Sequence, residues 1–277
     1  MSSQYFDETV AERYQQFQFE FGSKTLRRRV IVLAGGSGGL GAATAALLVK
    51  EGASLVVGYA RDEQRAQRMQ EALRAYGDGR ISLCRADLRE AEGRNALLAA
   101  AAAQGPLYGL VAFAGDPARG ASETALRESV EINYLAPLLL ARQAAEEMRT
   151  AATAGSIVLF SSMQASYIFE NSTAYACAKA ALVHGASVLA KESGGGANIR
   201  VNAVAPGATL AGMAQSSLRS GKYDRFVAED VIPRFGRAED VARTVRFLLE
   251  PDNYITGQVI TVDGGMTLRR DMRSGSP

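Results

Sequence analysis

The 277-residue sequence has only two cysteines, Cys84 and Cys177, and one histidine, His184. Neither cysteine has metal-ligand spacing to a second ligand, so the sequence predicts no metal site and no disulfide framework. Free thiols fit a reducing compartment, and we therefore expect a cytoplasmic protein. His184 lies in "ALVHGAS", one helical turn past Lys179, where helix packing or an interface role is favoured over catalysis.

Strong net charge and long apolar runs are also missing. The formal net charge is +2, which is too small to indicate a nucleic-acid partner. No apolar run approaches the ~18 residues of a membrane span, and the opening "MSSQYFDETVAERYQ" is too polar and acidic for a secretory signal. We therefore expect neither a membrane nor a nucleic-acid partner. Basic clusters at 27–29 and at Arg269, Arg270 and Arg273 are interpreted as solvated ends rather than docking patches for an acidic partner.

What the chain does have, from residue 30 onward, is an alternation of short apolar runs with amphipathic stretches. This alternation is typical of βαβ units around a buried parallel sheet. With right-handed crossovers and helices on both faces, the predicted fold is a doubly wound α/β sheet, Rossmann-like, in a single domain. The predicted strands cover 30–34, 54–59, 81–86, 107–115, 156–160, 199–206 and 258–265.

No break in composition divides the chain, so one dinucleotide-binding catalytic domain is predicted over 29–265. An N-terminal extension, 1–28, precedes it, and a frayed tail, 266–277, follows it. Within the extension, 5–16 is predicted as a short helix. The following "FQFEF" alternates phenylalanines at a strand period, which favours an arm packed on the body or on a second subunit over a ligand site.

A glycine-rich turn, "LAGGSGGLGAA", joins the first predicted strand to the first helix. Five glycines in seven residues argue against a turn that is merely tight. Glycines there let the backbone approach a pyrophosphate, and the helix N-terminus supplies free N–H groups and the positive end of its dipole. A second feature is "TAYACAK", in which Tyr175 and Lys179 stand four residues apart on one helix face.

The spacing Gly35-x-x-x-Gly39-x-Gly41 resembles that of the short-chain dehydrogenase/reductase family, in its compact single-domain branch. The resemblance covers about residues 26–265 and is nearest to 3-oxoacyl-carrier-protein reductases and related ketoreductases. It implies an NAD(P)-dependent oxidoreductase that moves a hydride between nicotinamide and a ketone or secondary alcohol. It also implies a small-molecule partner and a homo-oligomer, either a dimer or a tetramer.

The resemblance further implies a catalytic tetrad of Asn133, Ser162, Tyr175 and Lys179. Tyr175 is the expected general acid/base, with its pKa lowered from ~10 by the lysine ammonium. Ser162 is expected to hydrogen-bond the substrate oxygen, whereas strand alternation turns Ser161 to the other face. Asn133 is expected to hold a proton-relay water near the lysine.

The expected acid at the end of the second strand, which would select NAD, is replaced by Tyr59, and Arg61 follows. A missing acid with a guanidinium nearby favours NADP(H) over NAD(H). Against this, Gly38 stands where many NADP-dependent relatives carry arginine, and Asp62 can serve simply as a helix cap. The cofactor-binding residues implied by the match are Gly35, Ser37, Gly39, Leu40, Gly41, Tyr59, Arg61, Asp87, Leu88, Ala114, Gly115, Tyr175, Lys179, Pro206, Gly207 and Thr209.

The sequence departs from the family around the cofactor. Ala34 replaces a threonine, Ala112 and Phe113 replace two asparagines, and Ala211 replaces a threonine that Thr209 could substitute for. Phe113 is expected to pack instead of forming hydrogen bonds. These departures keep a dinucleotide-binding sensor or scaffold without turnover as an alternative.

The substrate pocket carries no signature, which leaves a dehydrogenase of a sugar or aromatic diol as a further alternative. The pocket is expected among residues 163–171 and under a mobile stretch at 209–228. That stretch contains Met213, Tyr223 and Phe226, which indicate an apolar lid.

Overall fold

A computed structural model describes residues 24–117 and 122–268. Its seven strands form one sheet in the order β3-β2-β1-β4-β5-β6-β7, and every neighbouring pair is parallel. The predicted doubly wound α/β fold is confirmed. The strands are β1 Val30–Ala34, β2 Ser54–Tyr59, β3 Arg80–Arg85, β4 Leu107–Ala112, β5 Gly155–Phe160, β6 Ile199–Pro206 and β7 Val259–Val262.

The connecting helices follow the predicted pattern, with one interruption. The long helical stretch over 123–150 is divided by a π-helical turn at Glu131–Leu135. The α-helices are α1 Gly39–Lys50, α2 Glu63–Leu73, α3 Ala91–Ala102, α4 Glu123–Val130, α5 Ala136–Thr150, α6 Thr173–Ser193, α7 Gln215–Arg219, α8 Asp224–Ala228 and α9 Ala238–Leu249.

The core lies in two layers, one on each face of the sheet. Alternate residues of β1 divide between them: Val30 and Val32 belong to one apolar cluster, and Ile31 and Leu33 belong to the other. This division follows from the two-residue period of a strand whose two faces are both covered. After β3, the chain crosses over to β4 on the other side of β1, and this reversal of strand order opens a crevice at the carboxyl ends of the strands.

Two residues outside the predicted domain bounds are part of the packed body. Leu26 and Met266 are both fully buried. The predicted helix at 5–16, the phenylalanine stripe after it, and Arg269, Arg270 and Arg273 lie outside the described residues. Across 24–117 and 122–268, no helix is both long enough and apolar enough to span a membrane.

Candidate active site

A groove of about 1540 Å³ runs across the carboxyl ends of the strands. Two predicted site residues do not line it. The Leu88 side chain packs into the core instead, and Asn133 is fully buried behind the groove wall. The predicted site residues that line the groove are Gly35, Ser37, Gly39, Leu40, Gly41, Tyr59, Arg61, Asp87, Ala114, Gly115, Ser162, Tyr175, Lys179, Pro206, Gly207 and Thr209.

The glycine-rich turn is shaped by close backbone contacts. A Cβ on Gly41 would lie 2.3 Å from the carbonyl oxygen of Gly36, so only glycine fits there. Gly35 has a φ of +72°, which favours glycine, and a Cβ there would lie 2.9 Å from the backbone nitrogen of Ala114. Helix α1 begins at Gly39 and directs its free N–H groups into the groove. This arrangement fits a pyrophosphate.

The end of the groove beside β2 carries exposed cations. Asp62 is the N-cap of α2, and its Oδ1 accepts a hydrogen bond from the backbone N–H of Arg65 at 2.9 Å, which confirms the capping interpretation. The Nη2 of Arg65 donates to Ser37 Oγ at 3.3 Å, and both residues line the groove together with Arg61. Arg65 was not predicted from the sequence.

Asp87, which the family resemblance assigns to the adenine ring, is held by a neighbour. Its carboxylate accepts hydrogen bonds from Arg89, with Nη2 at 2.5 Å from Oδ2 and Nε at 3.0 Å from Oδ1. The hydrogen bond from Arg89 lowers the pKa of Asp87. Arg89 was not predicted, and it adds a further guanidinium to the groove.

At the opposite end, the first residues of α6 bring a phenol and an ammonium to the end of β5. Ser162 hydrogen-bonds the Tyr175 phenol. Ser161 points elsewhere, since its hydroxyl donates to the backbone carbonyl of Lys179 at 3.0 Å. The Lys179 ammonium donates to the Phe160 carbonyl at 2.8 Å and lies 5.8 Å from the centroid of the Tyr175 ring.

Burial sets the protonation of this corner. Lys179 is 1% exposed, and burial lowers its pKa to about 7. Burial raises the pKa of Tyr175, while the hydrogen bond from Ser162 lowers it by less. The net direction is opposite to the lowering expected from the sequence, because desolvation opposes the phenolate more strongly than its neighbours favour it. The neutral phenol is therefore the stable form near pH 7.

Asn133 lies in the π-helical turn, a feature that frequently marks functional sites. Its amide clamps the backbone of Asp116, accepting from the N–H at 3.0 Å and donating to the carbonyl at 2.9 Å. It also donates to Ser129 Oγ, which in turn donates to the Ala174 carbonyl beside Tyr175. A Cβ on Gly115 would lie 2.9 Å from Asn133 Oδ1. Asn133 therefore fixes the groove wall.

The departures from the family pattern have structural explanations. Phe113 packs as expected, with its ring centroid 4.2 Å from that of Phe160. The Thr209 hydroxyl donates a hydrogen bond to the Gly207 carbonyl at 3.1 Å. Ala211 lies against the glycine-rich turn, because a Cβ on Gly39 would be 3.0 Å from the Cβ of Ala211. The groove near its middle is thus walled by aromatic and small side chains rather than by amides.

The stretch expected to form an apolar lid is packed more firmly than predicted. Phe226 is 1% exposed and Tyr223 is also buried, in an apolar cluster with Met163 and Met266. Met213 and Tyr223 both line the groove, but Met213 is 44% exposed. Only part of this stretch therefore offers an apolar face to a substrate.

The family profile described as Enoyl-(Acyl carrier protein) reductase matches residues 34–267. A curated relative, cis-4-hydroxycyclohexanecarboxylate dehydrogenase of Sinomonas cyclohexanicum, is 35% identical over 86% of this chain and 96% of its own. The chain therefore belongs to the short-chain dehydrogenase/reductase family, whose members are oxidoreductases that bind a nicotinamide dinucleotide and act on small molecules.

Solved structures share the fold over nearly their whole length. 7α-hydroxysteroid dehydrogenase complexed with NADH and 7-oxo glycochenodeoxycholic acid has a TM-score of 0.82 and 29% identity, covering 89% of this chain and 98% of that one. A point variant of actinorhodin polyketide ketoreductase with NADPH has a TM-score of 0.79 and 26% identity, covering 89% and 99%. Similar structures thus include both forms of the cofactor.

Proposed function

We propose that this protein is an NADP(H)-dependent reductase of a ketone, or in the reverse direction a dehydrogenase of a secondary alcohol. The observation that carries the proposal is the buried corner where Ser162, Tyr175 and Lys179 meet at the end of the groove. A neutral phenol at pH 7 is the form that can donate a proton, which favours the reductive direction.

In this proposal, the bound cofactor supplies or accepts the hydride. Tyr175 donates its phenolic proton to the carbonyl oxygen as that oxygen gains charge. Ser162 donates a second hydrogen bond to the same oxygen, which stabilises the developing negative charge. Lys179, buried beside the Phe160 carbonyl, favours the phenolate left behind whenever it is protonated. Asn133 acts by holding the Gly115–Asp116 wall against the lysine.

The preference for NADP(H) is supported by the cationic end of the groove. Arg61, Arg65 and the Ser37 hydroxyl surround the place beyond β2 where an adenosine 2′-phosphate would lie, and no acid ends that strand. Arginine binds phosphate through paired, charge-assisted hydrogen bonds. Asp62 is engaged as a helix cap, so it competes less for this position.

We also propose that the catalytic unit spans 29–265 and acts in the cytoplasm as a homo-oligomer. The residues 1–28 would form its extension and 266–277 its tail. Size-exclusion chromatography with light scattering measures the assembly, and a monomer at micromolar concentration would contradict this part of the proposal.

The test is cofactor oxidation by the purified protein with NADPH or NADH and a panel of linear, cyclic and aryl ketones. We expect turnover with NADPH that Tyr175→Phe reduces by ~10³-fold or more, because the proton donor is lost. Tyr76→Phe, at an exposed tyrosine outside the groove, is the matched control and should keep full activity. Undiminished turnover in Tyr175→Phe would refute the assigned role.

Two alternatives give different results in the same assay. A sensor or scaffold, motivated by Phe113 and Ala211, binds NADPH in calorimetry but turns over no substrate. A dehydrogenase of a sugar or aromatic diol reduces NAD(P)⁺ with those alcohols and leaves the ketones unreduced.

A further inference from the structure

Helix α3 (Ala91–Ala102) breaks two rules for a helix packed on a sheet. Its first turn contains Gly93, although glycine is a poorer helix former than alanine. Its buried stripe begins with a guanidinium and continues with apolar side chains: Arg94, Leu97, Leu98 and Ala101. Such local departures often serve a site nearby.

Gly93 is explained by the segment 87–89, which joins β3 to α3. A Cβ on Gly93 would lie 2.1 Å from the carbonyl oxygen of Asp87 and 2.9 Å from its backbone nitrogen. Any larger residue at position 93 would displace this segment. Glycine therefore allows the first turn of α3 to contact the segment 87–89 directly.

Arg94 is explained by the same segment. It is 8% exposed, and its Nη1 donates to the carbonyl oxygens of Leu88 at 2.6 Å and Arg89 at 3.0 Å. Its Nε donates to Gln143 Oε1 of α5 at 3.3 Å. In the described part of the chain, its hydrogen-bond partners are all neutral oxygens. Burying a charged group is costly unless its donors are satisfied, and here Nη1 donates to two consecutive carbonyls of one segment.

The other side of this segment faces the groove, which it lines with the paired Asp87 and Arg89. We propose that Arg94 is a positioning residue for the adenosine half of the dinucleotide. By fixing the carbonyls of residues 88 and 89, it sets the position and orientation of the Asp87 and Arg89 side chains at the groove wall. This inference rests on the proposed binding of NADP(H), but it does not depend on the substrate.

The test is calorimetric binding of two halves of the cofactor to the full-length protein. The probes are adenosine 2′,5′-bisphosphate and nicotinamide mononucleotide. Arg94→Met keeps the buried bulk but removes the donors, and we expect it to weaken adenosine bisphosphate about tenfold, since the segment loses bonds from a charged donor. Arg94→Lys, which restores the charge and some donors, should lie between Arg94→Met and wild type. The mononucleotide should bind all three alike.

The matched control is Arg200, another buried arginine whose guanidinium donates to a backbone carbonyl, Leu248 O at 3.1 Å, but which does not line the groove. Arg200→Met should lower the melting temperature and leave the affinity for adenosine bisphosphate unchanged. If Arg94→Met does not fold, Gln143→Leu removes one partner of Arg94 and should weaken the same probe about twofold.

The outcomes separate the inference from the function it rests on. Wild-type protein that does not bind adenosine bisphosphate would overturn the proposed preference for NADP(H) and, with it, the inference. Wild type that binds adenosine bisphosphate, with Arg94→Met binding it equally well at a lower melting temperature, would overturn the inference alone. Equal loss of affinity in Arg94→Met and Arg200→Met would also overturn it, because the effect would then be general destabilisation.

Discussion

The two ends of the groove use charge in different surroundings. At the corner of α6, Lys179 is 1% exposed and bonded to a backbone carbonyl. At the end beside β2, the side chain of Arg65 is 54% exposed, and Arg61 is exposed as well. Burial shifts protonation at the first end, whereas solvent and salt screen the charges at the second. A substitution at the corner should therefore change chemistry and stability, and one at the cationic end should change selection among ligands.

The largest effect is expected from Lys179→Met, which keeps an unbranched side chain and removes the buried amine. Turnover should fall by at least ~10²-fold, because the phenolate loses its neighbouring ammonium. Stability should depend on pH in a way that identifies the buried amine. The pKa of Lys179 is about 7 in the folded state, below the ~10.4 of an unfolded lysine.

Between these two values the unfolded chain binds a proton that the folded chain does not, so the stability of wild type rises with pH. Below pH 7 the full cost of burying the ammonium is present. Urea unfolding at pH 6, 8 and 9.5 should show the methionine variant more stable than wild type at pH 6, with the gap closing by several kcal/mol toward pH 9.5. A gap independent of pH would show that Lys179 keeps an ordinary pKa.

The corner could be predicted from sequence because its parts are fixed by short-range geometry. Tyr175 and Lys179 share a helix face, and Ser162 follows a strand end. What could not be predicted was the direction of the pKa shift of Tyr175. That direction depends on how completely the helix is buried, which is a property of the whole fold.

An intermediate effect is expected at the cationic end. Arg61→Ala combined with Arg65→Ala should reduce the preference for NADPH over NADH about a hundredfold, since each charge-assisted hydrogen bond to a phosphate is worth ~1.5–3 kcal/mol. The measurement is the ratio of the two dissociation constants. The loss should shrink as salt is raised, because the charges are exposed.

Arg68→Ala is the matched control, since Arg68 stands on the same helix, α2, and is exposed but does not line the groove. It should leave the ratio of dissociation constants within about twofold of wild type, since it removes no direct phosphate contact. An equal change in both variants would mean that the general positive charge of α2, and not a phosphate contact, sets the preference.

This end was harder to predict because its contacts join residues that are distant in the chain. The strand end at Tyr59 and the following Arg61 drew attention to the site. Arg65 was missed because its approach to Ser37 is a tertiary contact across 28 residues of sequence. Arg94 was missed for a similar reason, since its role depends on which way α3 faces.

The smallest effect is expected between the two ends, at Phe113. Its ring packs on Phe160, whose backbone carbonyl accepts a hydrogen bond from the Lys179 ammonium. The Phe113 side chain itself forms no hydrogen bond. Phe113→Leu should cost ~1 kcal/mol of stability, the value of an aromatic pair beyond its buried area, and should leave turnover within about threefold of wild type. Urea unfolding and steady-state rates measure the two. A loss of turnover above tenfold at unchanged cofactor affinity would mean that the aromatic wall helps to position the buried corner. Phe113 would then belong with Ser162, Tyr175 and Lys179 at the buried end of the groove, and not between the two ends.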